Sequence, residues 1–114
     1  MRLRLHFGDR LMLGPGKADL LAGIRDTGSI SAAGRAMSMS YKRAWLLVED
    51  MNAAFGSPLV ISSRGGAQGG GAHLSETGEA VLAQYRTLEQ RALAAGSEQI
   101  EAIAALLGDM SEGK

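Results

Sequence analysis

The residues best suited to recognising a ligand form a short polar cluster near the middle of this sequence. Residues 40–43 are Ser-Tyr-Lys-Arg, at the start of a stretch whose apolar residues have helical spacing. Ser40 is a typical helix N-cap, so Lys42 and Arg43 would lie on the first turn of that helix. A capped helix end with two cations can approach phosphates and enter the major groove of DNA. The cluster therefore indicates a nucleic-acid contact.

No comparable group of residues indicates catalysis or metal binding. The chain has no Cys, which excludes a thiolate metal site and a cysteine nucleophile, and its two histidines, His6 and His73, are far apart. Glu49 and Asp50 are adjacent on a predicted helix and therefore face different directions. The glycine-rich run 64–71 lacks the Gly-Lys-Ser/Thr ending of a nucleotide-binding P-loop. We expect no enzyme activity, no cofactor and no metal site.

Length and charge limit the fold and the partners. A chain of 114 residues with 46% hydrophobic residues suits one small globular domain, here 1–114. No apolar run reaches the ~18 residues of a membrane helix, and the N-terminus is too polar for a signal peptide. We therefore expect a cytoplasmic protein with no membrane partner. The net charge is zero, yet residues 1–74 carry +4 and residues 75–114 carry −4, which allows one basic face.

Apolar periodicity predicts a mainly α domain with small β-hairpins. The predicted elements are strands over 2–7 and 10–13, helices over 17–27, from Ser29 or Ser31 to Met37 and over 41–55, strands over 59–61 and 72–74, and a final helix over about 76–107. The helix over 41–55 should bury Ala44, Leu47, Val48 and Met51. Trp45, next to this apolar face, is expected in the core.

Two of these helices are separated only by a brief turn at Ser38 and Met39, as in a helix-turn-helix. Gly34, midway along the first helix, is expected at the crossing, because a larger side chain would hold the second helix away. The strand-loop-strand over about 59–74 then has the position of a wing. These features predict a winged helix-turn-helix with an N-terminal β-hairpin and a long C-terminal helix.

On these motifs the chain resembles the N-terminal DNA-binding domain of the ModE family, the molybdate-responsive transcriptional regulators of bacteria. The wider winged-helix group includes the LysR-type regulators. The motifs that carry the resemblance are Gly28-Ser29-Ile30-Ser31, Ser40-Tyr41-Lys42-Arg43-Ala44-Trp45, Met51-Asn52 and the glycine-rich wing that ends in Leu74-Ser75. The chain departs from the family at Ser38, where glycine is usual in the turn, and at Ala67, where a basic residue is expected in the wing.

The resemblance implies a sequence-specific regulator of transcription that binds double-stranded DNA and is linked to molybdate transport or molybdenum metabolism. The residues predicted to contact DNA are Ser29, Ser31, Arg35, Ser40, Tyr41, Lys42, Arg43, Arg64 and Gln68. Family members bind molybdate through a further C-terminal region that is not expected within these 114 residues. We therefore expect no direct molybdate binding by this chain.

The final helix is predicted to form a homodimer that binds a palindromic operator. Its apolar stripe would otherwise be exposed, and the predicted interface residues are Val81, Tyr85, Leu88 and Ala92. The stripe shifts by one residue near Gly96, which predicts a bend or break there. The alternative is a protein-interaction module that pairs with a full-length regulator and does not itself bind DNA.

Overall fold

Four helices and two antiparallel hairpins make up the residues that the computed structural model describes, 2–63 and 71–108. The elements in chain order are β1 (Leu5–Phe7), β2 (Leu11–Leu13), α1 (Pro15–Thr27), α2 (Ile30–Ala36), α3 (Tyr41–Ala54), β3 (Val60–Ser63), β4 (Gly71–Leu74) and α4 (Glu76–Leu106). This order confirms the predicted mainly α winged helix-turn-helix with an N-terminal hairpin. No helix in the described ranges is long and apolar enough to cross a membrane.

The core is formed by α1, α2 and α3, together with apolar residues of both hairpins and of the first turns of α4. Ile24 of α1 is fully buried, as are Ala44, Val48 and Met51 on the inner face of α3, while Leu47 is only partly buried. Gly28 ends α1 as predicted: it has a left-handed backbone (φ 72°), and its N–H donates to the carbonyl of Ile24 at 2.8 Å. The chain can therefore turn sharply into α2.

The close crossing of α2 and α3 depends on Gly34, as the sequence predicts. A Cβ placed on Gly34 would lie 2.9 Å from the Cβ of Ala44 and 3.5 Å from the Cγ of Met39. The Gly34 carbonyl also accepts hydrogen bonds from the N–H groups of Met37 and Met39, both at 3.0 Å. One residue thus provides both the space for the crossing and the hydrogen bonds that close the turn.

The turn between α2 and α3 forces Ser38 into a left-handed backbone conformation, with φ 60°. Such a conformation costs an L-residue roughly 1 kcal/mol, and glycine avoids most of this cost. We expect Ser38→Gly to raise the free energy of unfolding by about 0.5 to 1 kcal/mol in urea denaturation. The control is Ser38→Ala, which keeps the Cβ and should bring no gain. An equal gain from both variants would contradict this explanation.

The sequence predicts a bend or break at Gly96, but helix α4 is continuous from Glu76 to Leu106, so the prediction of a break there is wrong. Ala92 and Ile103 are eleven residues apart, which is about three turns of an α-helix. A continuous helix therefore keeps both on nearly the same face, and the apparent shift of the stripe needs no interruption.

Tyr85 lies in the core of its own chain, which corrects its predicted place in the dimer interface. It is 2% exposed, and its hydroxyl donates a hydrogen bond to the carbonyl of Leu3 at 2.6 Å. Burial raises the pKa of the Tyr85 phenol and the carboxylate of Glu89 raises it further, which keeps the hydroxyl protonated as a donor. The first turns of α4 are therefore part of the domain, hydrogen-bonded to the segment that precedes β1.

Candidate nucleic-acid interface

The first turn of α3 is exposed and positively charged. The Oγ of Ser40 accepts a hydrogen bond from the N–H of Arg43 at 3.1 Å, which confirms Ser40 as the N-cap. Tyr41, Lys42 and Arg43 are all exposed, and the first turn contains no acidic residue. Within the described ranges no carboxylate forms an ion pair with Lys42 or Arg43. Both cations are thus available to a polyanion.

Trp45 supports Tyr41 at the edge of this surface. Its indole Nε1 donates a hydrogen bond to the Tyr41 hydroxyl, and the two rings meet edge to face with centroids 6.2 Å apart. Trp45 is only partly buried, so the prediction of a core residue holds in part: it packs against the core and also orients Tyr41. Because the Tyr41 oxygen accepts from Trp45, its own O–H can donate to a phosphate.

The predicted residues of α2 have specific local partners. The Oγ of Ser29 accepts a hydrogen bond from the N–H of Ala32 at 3.0 Å, so Ser29, rather than Ser31, is the N-cap. The Oγ of Ser31 accepts from Nη1 of Arg35 at 2.7 Å. Arg35 is exposed, and the Ser31 hydroxyl fixes the position of its guanidinium one turn along the helix. The hydroxyl of Ser29 is already engaged in the cap.

The strands predicted for the wing pair as expected. Val60 pairs with Leu74 and Ser63 with Gly71 in an antiparallel hairpin. The returning strand is joined to the end of α1 by a hydrogen bond from the N–H of Ala72 to the carbonyl of Gly28 at 2.9 Å. The wing is therefore attached beside the start of α2. Two predicted contact residues, Arg64 and Gln68, lie outside the described residues.

Asn52 joins α3 to the wing, a function that the sequence analysis did not assign. Its Oδ1 accepts hydrogen bonds from the N–H groups of Leu59 at 2.8 Å and Val60 at 3.1 Å. Its Nδ2 donates to the carbonyl of Val60 at 3.1 Å. Three hydrogen bonds from one side chain thus fix the wing relative to α3. The sequence signal for this link is an asparagine near the end of a helix that is followed within eight residues by an apolar strand.

The arrangement suits binding of a polyanion rather than metal chemistry. In the described portion of the chain, no cluster of three or more His, Asp or Glu side chains could hold a metal ion. His73 is exposed on β4. The cations of α3 project from a helix end whose backbone N–H groups also favour negative charge. An exposed helix end with two cations suits a groove lined by phosphates.

The fold and this surface define a winged helix-turn-helix domain. Among solved structures, the chain is similar to the DNA-binding domain of CbnR in its complex with DNA, with a TM-score of 0.59 and 19% identity over 77% of this chain and 95% of that one. It is also similar to VV2_1132, a LysR family transcriptional regulator, with a TM-score of 0.60 and 17% identity over 87% of this chain and 31% of that one. The chain thus shares the winged-helix fold of these two proteins.

Sequence comparison finds relatives among proteins named for molybdenum binding, molybdenum transport and transcriptional regulation. The chain is 46% identical over 77 residues to the molybdenum-pterin-binding protein MopB of Rhodobacter capsulatus, covering 68% of this chain and 28% of the relative. It is 40% identical over 87 residues to the molybdenum transport protein ModE of Azotobacter vinelandii, covering 74% and 32%. The DNA-binding transcriptional dual regulator ModE of Escherichia coli K12 is 35% identical over 88 residues, covering 77% and 34%.

The chain is therefore a homologue of the ModE and MopB proteins over the region that it shares with them. It spans about a third of the length of these relatives. No family model matches the chain. The similarity confirms the resemblance drawn from the motifs, and the ModE proteins of Yersinia pestis and Escherichia coli K12 are named as regulators of transcription.

Proposed function

We propose that this chain binds double-stranded DNA at specific sequences as a transcriptional regulator linked to molybdenum. The observation that carries the proposal is the exposed, N-capped first turn of α3, where Lys42 and Arg43 stand without carboxylate partners among the described residues. The names of the ModE relatives and the DNA complex of CbnR support the same function. They favour it over an interaction module that does not bind DNA.

In the proposed complex, the N-terminal half of α3 enters the major groove. Lys42 and Arg43 then face base edges or the nearest phosphates. The hydroxyls of Ser40 and Tyr41 lie beside the sugar-phosphate backbone of the DNA. From α2, Ser29 marks the helix end that approaches a phosphate, and Ser31 holds Arg35 toward the same strand. Arg64 and Gln68 of the wing are proposed to contact the adjacent groove.

The proposal predicts that Lys42→Ala and Arg43→Ala each weaken DNA binding without unfolding the protein, since both side chains are exposed. A lost phosphate contact should weaken binding to every duplex and reduce the magnitude of the negative slope of log K against log salt by about 0.9. A lost base contact should cost about 1–3 kcal/mol on the selected sequence only. Fluorescence anisotropy on duplexes selected by this chain from a random library measures both effects.

The matched control is Arg91→Ala, which removes an exposed cation from α4, away from the helix-turn-helix. It should leave both affinity and salt slope unchanged. Wild-type affinity in both the Lys42→Ala and Arg43→Ala variants, at physiological salt, would mean that α3 is not the recognition helix.

The proposal also includes a homodimer formed through α4 and a palindromic operator. Val81 and Leu88 line an open apolar groove of about 410 Å³ together with Phe7 of the hairpin and Phe55 after α3. Phe7 is 52% exposed and Leu88 is 39% exposed. Further along α4 the exposed apolar residues are Leu93, Ile100, Ile103 and Leu106.

An apolar surface of this length on one helix favours burial against a second copy. A two-fold dimer places the same apolar residues on both sides of the interface. The predicted interface residues Val81, Leu88 and Ala92 remain in this proposal, while Tyr85 forms the floor of the groove from within its own chain. Two recognition helices related by two-fold symmetry would bind two half-sites of opposite orientation.

A further inference from the structure

Leu46 is an apolar residue on the outward face of α3. The buried face of this helix contains Ala44 and Val48, and at 100° per residue Lys42, Leu46 and Glu49 lie on the opposite side. Leu46 is 50% exposed and is not among the side chains that pack against the core in the described part of the chain. The fold therefore does not explain why this position holds a leucine.

The position of Leu46 relative to Lys42 indicates which part of the DNA Leu46 would contact. Four residues separate them, which is a rise of about 6 Å along the helix and roughly two base-pair steps of DNA. If Lys42 reaches a base edge or phosphate, Leu46 lies over a neighbouring base pair in the same groove. The apolar group that base edges present in the major groove is the C5-methyl of thymine.

We infer that Leu46 contacts the C5-methyl group of a thymine and so selects an A·T pair at one position of each half-site. This rests on the proposed function, because it requires α3 to lie in the major groove. A leucine cannot donate or accept hydrogen bonds, so guanine or cytosine at that position would leave polar edge atoms against an apolar side chain. Glu49, one turn further along, adds a negative charge that disfavours closer approach of the phosphates there.

The test compares thymine with uracil, which differs from it only by the missing methyl group. Duplexes are first selected from a random library with the wild-type chain, and each thymine of the selected site is then replaced singly by uracil. For the wild type, one replacement per half-site should weaken binding by about fourfold, as expected for one buried methyl group. For Leu46→Ala, the same replacement should change the affinity by less than about twofold.

Two controls separate this contact from general effects. Glu49→Ala alters the same face one turn away and should keep the fourfold loss on uracil replacement, although it strengthens binding to all duplexes. Leu46→Met keeps an apolar side chain and should keep most of the loss. Trp45, the single tryptophan of the chain and adjacent to Leu46, provides a fluorescence signal for binding and for the folded state of each variant.

The outcomes distinguish the inference from the function on which it rests. A wild-type chain that enriches no sequence from the library would overturn both. The wild type could instead bind a specific sequence while no uracil replacement weakens its affinity more than it weakens that of Leu46→Ala. That result would overturn the assignment of Leu46 alone. The expected result is a position-specific loss in the wild type that disappears in Leu46→Ala.

Discussion

Leu88→Asp is expected to convert the protein from a dimer into a monomer at tens of micromolar and to weaken binding to a two-half-site operator by about 100-fold or more. Leu88 is partly exposed at the apolar groove formed with Phe7 and Phe55. A carboxylate there would be desolvated without a partner when a second copy packs against α4. Once the subunits separate, the second half-site no longer benefits from the high effective concentration that linkage provides.

Sedimentation and operator titration test this prediction together. The matched control is Gln90→Asp, which adds the same charge on the opposite face of α4 and should leave the dimer intact. On a duplex with a single half-site, Leu88→Asp should bind like the wild type, which shows that its DNA-contacting surface is unaffected. A monomeric wild-type chain at the same concentration would refute the dimer.

Removal of α4 after Thr77 would not test the proposed dimer cleanly. The helix supplies Leu82 and Tyr85 to the core, and Tyr85 is hydrogen-bonded to Leu3. Arg86 also donates to Asp19 of α1 at 2.8 Å. Truncation would therefore unfold the domain as well as separate the subunits, whereas a single substitution at the exposed rim separates the two effects.

The helix-turn-helix was predictable from sequence because its determinants are local. Ser29 and Ser40 cap helices through hydrogen bonds to residues three positions along, and Gly28 ends α1 within its own turn. Gly34 and Ala44 are only ten residues apart, so the small residues at the crossing were recognisable from the motif. Ser38 was identified as an unfavourable turn residue for the same reason, and its left-handed backbone confirms this.

The long-range contacts were not predictable in this way. Helical periodicity identifies the apolar stripe of α4, but it does not tell which turns of that stripe are covered by the same chain. Tyr85 contacts Leu3, which is 82 residues away, so its burial depends on where the hairpin packs. Asn52 could be identified as a motif residue, but its hydrogen bonds to Leu59 and Val60 depend on the angle at which the chain leaves α3.

The start of α4 packs closely against the wing at Gly78. A Cβ placed on Gly78 would lie 2.2 Å from the carbonyl oxygen of Leu59, a backbone atom. That oxygen also accepts a hydrogen bond from the N–H of Ser75 at 2.9 Å. A methyl group at Gly78 would therefore push the start of α4 away from the wing and strain the attachment that Ser75 and Asn52 maintain.

Helix propensity alone would make Gly78→Ala stabilising by up to about 1 kcal/mol, since alanine is the better helix former. The clash with the backbone of Leu59 outweighs this gain. We therefore expect Gly78→Ala to lower the free energy of unfolding by about 2 to 3 kcal/mol. Gly96→Ala is the control within the same helix, because a Cβ there would meet only the Cδ1 of Ile100, at an ordinary 3.9 Å. It should stabilise the protein by up to about 1 kcal/mol. Urea denaturation of both variants at equal protein concentration measures the two changes, and a gain for Gly78→Ala would show that α4 does not pack this closely against Leu59.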